Sequence, residues 1–183
     1  VKSWEYIIPF TLSGLFIGAR VFILALSLLG AHMPLNKWID IPPVWLVGCL
    51  CLAWWSTAWA GMWFAPPNGA LALGWALIIG GISLMVLAVH QFRRHKTTPI
   101  PHHVPDALIT TGVFRWSRNP IYLGDAMVLA GLSLIWGSWL GLALIPAFVA
   151  VITVRFVKPE EARLSEHFSP GFQQWTASTR RWL

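Results

Sequence analysis

Residues 121–157 read IYLGDAMVLAGLSLIWGSWLGLALIPAFVAVITVRFV, two apolar runs parted by the short link Trp136-Gly137-Ser138. The first run carries one charge, Asp125, and the second carries Arg155 near its end. A spanning helix needs about 20 mostly apolar residues. The pair therefore predicts two antiparallel spans folded as a tight hairpin, the shorter first one tilted or beginning near Asn119. Working back along the chain, Ala70–Val89 and Val44–Phe64 hold no charge, and Tyr6–Gly30 holds only Arg20. The sum is an all-α integral membrane fold of about five transmembrane helices. The last two form the hairpin, and a cytoplasmic amphipathic helical tail follows. The first apolar stretch is too long for a signal peptide and has no small-residue cleavage site after it.

The composition of the 183 residues agrees, with 56% hydrophobic and only 11% charged, against roughly 25% charged in soluble domains. So few charges cannot cover a soluble globule, and a disordered chain needs the opposite balance. The net charge of +6 would ordinarily suggest a nucleic-acid partner, but long apolar spans interrupt the basic residues, and none is expected. Lys and Arg concentrate in cytoplasmic loops. With the 92–118 loop inside, the cytoplasmic face receives Lys37, Arg93, Arg94, Lys96, Arg115, Arg118, Lys158, Arg163, Arg180 and Arg181, and the outer face only Lys2. The N-terminus is then outside and the tail cytoplasmic, as in a bacterial inner-membrane protein.

Trp4, Trp38, Trp45, Trp63, Trp136 and Trp139 fall near span ends, where amphipathic rings suit the headgroup level. Trp54, Trp55, Trp59 and Trp75 lie deeper and read as lipid contact or core packing, or else as an aromatic wall around an apolar or cationic ligand. Gly80-Gly81 permits close helix approach. Cys49 and Cys51 point about 200° apart on a helix and read as packing residues.

Polar chemistry gathers in the second half. Residues 90–120 read HQFRRHKTTPIPHHVPDALITTGVFRWSRNP, and their prolines exclude one regular helix. His90, His95, His102 and His103 invite a zinc reading, but no Cys is near and the spacing is not HExxH. They read instead as solvated loop histidines, or one of them, His103, as a hydrogen-bond partner of a ligand; no metal is expected. In the tail, Pro159 with Glu160 and Glu161 looks like a helix start, and Ser169-Pro170-Gly171 should split the tail into two short interfacial helices. Charges inside spans usually face a cavity or a partner. Folding the hairpin brings Arg118, Asn119, Tyr122 and Asp125 to the depth of Arg155, Glu160 and Glu161. That predicts a polar pocket at the cytoplasmic membrane face; a salt-bridge network closing the hairpin is the alternative.

TTGVFRWSRNPIYLG (110–124) resembles the TG-hydrophobic-aromatic-R-x-x-R-[HN]-P-x-Y-x-G segment of integral-membrane methyltransferases, namely the isoprenylcysteine carboxyl methyltransferase family and the related phospholipid methyltransferases. PEEARLSEHFSPGFQQW (159–175) is similar to their second motif, a Glu-Glu pair followed by a Phe-containing turn and an aromatic. The resemblance covers residues 90–183 and implies a single membrane domain. In it, 1–89 is a three-span scaffold and 90–183 supplies the cofactor-binding loop, the hairpin and the terminal helix. It implies S-adenosylmethionine as cofactor. Gly112, Val113 and Phe114 would line it, Arg118, Asn119 and Tyr122 would contact it from the first motif, and Glu160 and Glu161 would bind its polar groups. Arg155 resembles an arginine that positions the methyl acceptor in carboxyl-methylating members. Asn119 stands where eukaryotic members carry His, and its amide bonds but does not titrate.

The resemblance thus implies methyl transfer to a lipophilic acceptor, a carboxylate, amine or thiol, entering from the bilayer. A carboxylate needs Arg155 to orient it and no base. An amine or thiol needs one, with Asp125, Glu161 or a loop His as candidates. The rival readings are a membrane reductase using NADPH, similar in its C-terminal half, and a non-enzymatic scaffold whose basic face binds anionic membrane lipids. Oligomeric state is not legible.

Overall fold

The computed structural model describes residues 41–97 and 107–183. The expected span Tyr6–Gly30 with Arg20, and the loop residues His102, His103 and Asp106, lie outside the described residues. Among the described residues every named element is helical: α1 (Pro42–Ala58), α2 (Ala70–Arg94), a 3-10 turn (Gly112–Arg115), α3 (Pro120–Trp136), α4 (Trp139–Ile152), a π-helical turn (Thr153–Val157), α5 (Lys158–Phe168) and α6 (Gly171–Ser178).

Prolines and glycines set the helix ends. Pro42 and Pro120 sit in the first turns of α1 and α3, where a missing N–H costs nothing and φ is already helical. Arg93 and Arg94 occupy the last turn of α2, beside the negative end of its dipole. Gly137, at φ +63°, ends α3 in the left-handed conformation, and the Ser138 hydroxyl accepts the Gly141 N–H at 2.9 Å to begin α4. A two-residue turn thus joins α3 to α4. The chain after α1 comes back to this turn: Phe64 N–H donates to the Gly137 carbonyl at 2.8 Å. The apolar stretch expected to be helical to Phe64 therefore leaves the helix at Ala58 and pairs with the turn instead.

Pro159 stands in the first turn of α5 with Glu160 and Glu161, as expected, but no break precedes it. The chain is helical without a break from Trp139 to Phe168. Proline lacks an N–H and crowds the carbonyl four residues back. The helix widens by one residue just before it, the Lys158 N–H reaching the Thr153 carbonyl, and so absorbs the ring without a stop. The break between α5 and α6 falls at Ser169-Pro170.

Two helices, Ala70–Arg94 and Trp139–Phe168, are long and apolar enough to cross a membrane, and α1 and α3 are shorter apolar helices. Leu71, Trp75, Ile79, Ile82 and Val86 of α2 recur at helical spacing and are all exposed, as a lipid-facing stripe would be. The opposite face of α2 meets α3 through glycines, Gly74 against Gly131 and Gly81 against Gly124. One buried cluster joins α1, α3 and α4 through Leu50, Leu129, Phe148, Ile152 and Phe156, with Cys49 packed against it. A second joins the end of α2, the 3-10 turn and α6 through Ala88, Val113, Phe114, Phe172 and Trp175.

Candidate functional site

Asn119 occupies the N-cap position of α3, yet its side chain does not cap the helix. Its Nδ2 instead donates to the Arg181 carbonyl at 3.0 Å, and its own N–H donates to the Ser117 hydroxyl at 3.1 Å. The neighbouring Arg118 N–H donates to the Arg180 carbonyl at 3.1 Å. Residues 180–181 are thereby laced to residues 117–119.

The side chains of the same residues form an ion cluster. Glu161, on α5, takes Arg118 Nη1 at 3.2 Å on Oε1. It takes Arg181 Nη2 at 2.7 Å on Oε2, with Arg181 Nε at 3.1 Å from each oxygen. The Arg118 and Glu161 side chains are 12% and 14% exposed, and that of Arg181 is 37% exposed, so Arg181 is the solvent-side member. Burial lowers the proton affinity of the Arg118 guanidinium, and Glu161 counters that. The hydrogen bonds to Glu161 raise that of Arg181. Two guanidinium groups face one carboxylate, and among the described residues the buried Arg118 Nε has no hydrogen-bond partner. A cluster with an excess cation and an orphaned donor suits a carboxylate ligand.

Tyr122, one turn into α3, donates to Glu160 Oε2 at 3.3 Å. Arg118, Asn119 and Tyr122 are thus brought together with Glu160 and Glu161. Asp125 is buried on α3, and its Oδ2 has no partner among the described residues. Arg155 lies with its guanidinium 5.8 Å from the centre of the Trp45 ring, toward α1.

Gly112 has φ +63°, and a Cβ there would collide with the Gln91 side-chain amide. Only glycine allows this turn to close against α2. Val113 and Phe114 are buried in the second apolar cluster, with the Phe114 ring edge-on to Phe92 at 5.4 Å. The Phe114 carbonyl accepts Trp175 Nε1 at 3.0 Å. Beside this turn a cleft of about 500 Å³ is lined by Leu108, Thr110, Arg115, Gln174, Trp175 and Ser178, among others. His103 lies outside the described residues.

Three contributors were not singled out from sequence. Arg181 reads in the sequence as one more cytoplasmic charge, Trp175 only as the aromatic that ends the second motif, and Trp182 not at all, although Trp182 Nε1 donates to Thr153 Oγ1 at 3.2 Å. Their only sequence signal is an arginine pair and a tryptophan placed just after an amphipathic helix.

A family model described as phospholipid methyltransferase matches residues 70–171. No curated protein and no solved structure matches the chain.

Proposed function

Because the chain belongs to the phospholipid methyltransferase family, and so is a membrane methyltransferase, we propose that it uses S-adenosylmethionine to methylate a lipophilic acceptor entering from the bilayer. The observation that carries this reading is the convergence of Arg118, Asn119 and Tyr122 of one motif with Glu160 and Glu161 of the other. When bound, the cofactor supplies an electrophilic methyl carbon on a sulfonium. Such a carbon needs no activation by the protein, so holding the two reactants in line carries the catalysis, by roughly 7–11 kcal/mol at best.

The residues fit such a ligand. Arg118, with its unpartnered Nε, holds the amino-acid carboxylate. Glu161 keeps that guanidinium in place and, with Glu160, meets the ammonium and the ribose hydroxyls. Asn119 and Tyr122 fix the orientation of these groups. The Gly112–Phe114 turn lines the cofactor through its backbone, since the Val113 and Phe114 side chains belong to the apolar cluster. The cleft beside Thr110 and Gln174 offers room and hydroxyls for a nucleoside, and His103, seven residues before Thr110 in the sequence, is a further candidate to bind it.

On the acceptor side, Arg155 orients a carboxylate, and Asp125 takes the proton from an amine or thiol; Glu161, its two oxygens engaged by Arg118 and Arg181, serves the cofactor side. Five spans, the α3–α4 hairpin and a cytoplasmic site in a bacterial inner membrane complete the proposal, along with an isoprenylcysteine carboxyl methyltransferase-like acceptor geometry. The experiment is transfer of radiolabelled methyl from S-adenosylmethionine into a total lipid extract and into prenylcysteine analogues. Label in either fraction supports the reading and names the acceptor; label in neither, with NADPH bound instead, replaces it with a reductase.

A further inference from the structure

Residues 179–182 touch three separate parts of the molecule. Their carbonyls accept from Arg118 N–H, from Asn119 Nδ2 at 3.0 Å and from the Ser117 hydroxyl at 3.5 Å. The Arg181 side chain grips Glu161 of α5, and Trp182 reaches Thr153 in the wide turn. The two halves of the candidate site are far apart in sequence, and among the described residues the ion pair Arg118–Glu161 joins them. Arg181 completes that pair from the solvent side. It contacts both halves at once, through its carbonyl on Asn119 and its guanidinium on Glu161.

We infer that Arg181 is a positioning residue for the cofactor site: through Glu161 it aims Arg118, and through its carbonyl it fixes the face of Asn119. The inference rests on the cofactor reading above. A carboxylate between two guanidinium groups is locked in direction, because Arg181 spans both of its oxygens. With Arg181 removed, Glu161 would turn wholly onto Arg118 and neutralise the cation that the cofactor carboxylate needs. Lysine cannot substitute, since a single ammonium cannot span the carboxylate with the same planar fork. The carbonyl contacts belong to the backbone, but the guanidinium's grip on Glu161 holds residues 180–181 against 117–119, so its loss also loosens the bond from the Arg118 N–H to the Arg180 carbonyl.

The test is a double-mutant cycle on the full chain in detergent, with Arg181→Gln, Arg181→Lys, Glu161→Gln and Arg181→Gln/Glu161→Gln. S-adenosylmethionine affinity, acceptor KM and amide hydrogen exchange of the ligand-free protein are measured. Arg181→Gln should weaken cofactor binding about tenfold or more, leave the acceptor KM in place, and speed exchange at residues 117–119. Arg181→Lys should recover only part of the affinity. The double variant should be no worse than the weaker single variant, because one residue acts through the other. Wild-type cofactor affinity in Arg181→Gln, or losses that multiply, would overturn the inference. If Arg181→Gln does not fold, Arg181→Lys, which keeps the charge, carries the same comparison with Glu161→Gln. A wild-type protein that binds no S-adenosylmethionine, while Arg181→Gln still speeds exchange at 117–119, would overturn the cofactor reading and leave Arg181 as the tie between residues 180–181 and 117–119.

Discussion

Gly81 and Gly124 face each other across α2 and α3 so closely that a Cβ on Gly124 would lie 2.6 Å from the Gly81 carbonyl oxygen, and one on Gly81 2.7 Å from that of Gly124. Gly124 closes the Tyr-x-Gly end of the first motif. Its role is therefore packing: it draws α3 against α2 so that Asn119 and Tyr122, at the head of α3, are held at a fixed place. A small residue that lets two backbones touch is the usual device for helices packed in lipid.

Gly124→Ala should accordingly destabilise the protein by about 1–3 kcal/mol, the cost of overpacking a close contact. Thermal unfolding in detergent measures it. Gly48→Ala on α1, where a Cβ meets nothing within 4 Å, is the matched control and should be neutral or slightly stabilising, alanine being the better helix former by about 1 kcal/mol.

Trp175→Phe keeps the ring in the second cluster but removes the Nε1 donor from the Phe114 carbonyl. An unsatisfied buried acceptor costs about 1–3 kcal/mol. The same thermal unfolding should show that loss, while Trp175→Phe leaves the Arg118–Glu161 pair intact.

Asp125 is a buried carboxyl without a hydrogen-bond partner for Oδ2 among the described residues. If it takes the proton of an amine or thiol acceptor, Asp125→Asn should lower kcat by about 100-fold or more without lowering stability or cofactor affinity. Full turnover in the Asn variant would remove Asp125 from the chemistry and leave it as a packing residue.

Arg155 rests over the Trp45 ring, which ties a candidate acceptor-binding residue to α1. Arg155→Gln should raise the KM of a carboxylate acceptor and leave S-adenosylmethionine affinity unchanged. Trp45→Leu should do the same more weakly, by a few-fold, in keeping with a cation–π contact of about 0.5–2 kcal/mol. Unchanged KM in both variants would confine Arg155 to the membrane surface.

The helices and the pairing of the two motifs were legible because they rest on apolar run length and on spacing. Arg118, Asn119, Tyr122, Glu160 and Glu161 do meet, as folding residues 121–157 back on themselves predicts. Pro159 does mark the first turn of α5, but the sequence does not show that the helix reaches it unbroken through the wide turn at 153–157. The end of α1 was misplaced because an apolar residue in an extended segment, such as Phe64, reads like one in a helix. Arg181 does not stand out in the sequence because its partners lie 20 and 62 residues away, and no periodicity reports a contact of that kind.

The most direct measurement is calorimetric titration of the detergent-solubilised protein with S-adenosylmethionine and, separately, with NADPH. Wild type should bind S-adenosylmethionine and not NADPH, and the Asn119→Ala/Glu161→Ala variant should remain folded and bind neither. Wild-type S-adenosylmethionine affinity in that double variant, or NADPH binding in its place, would contradict the assignment of the site.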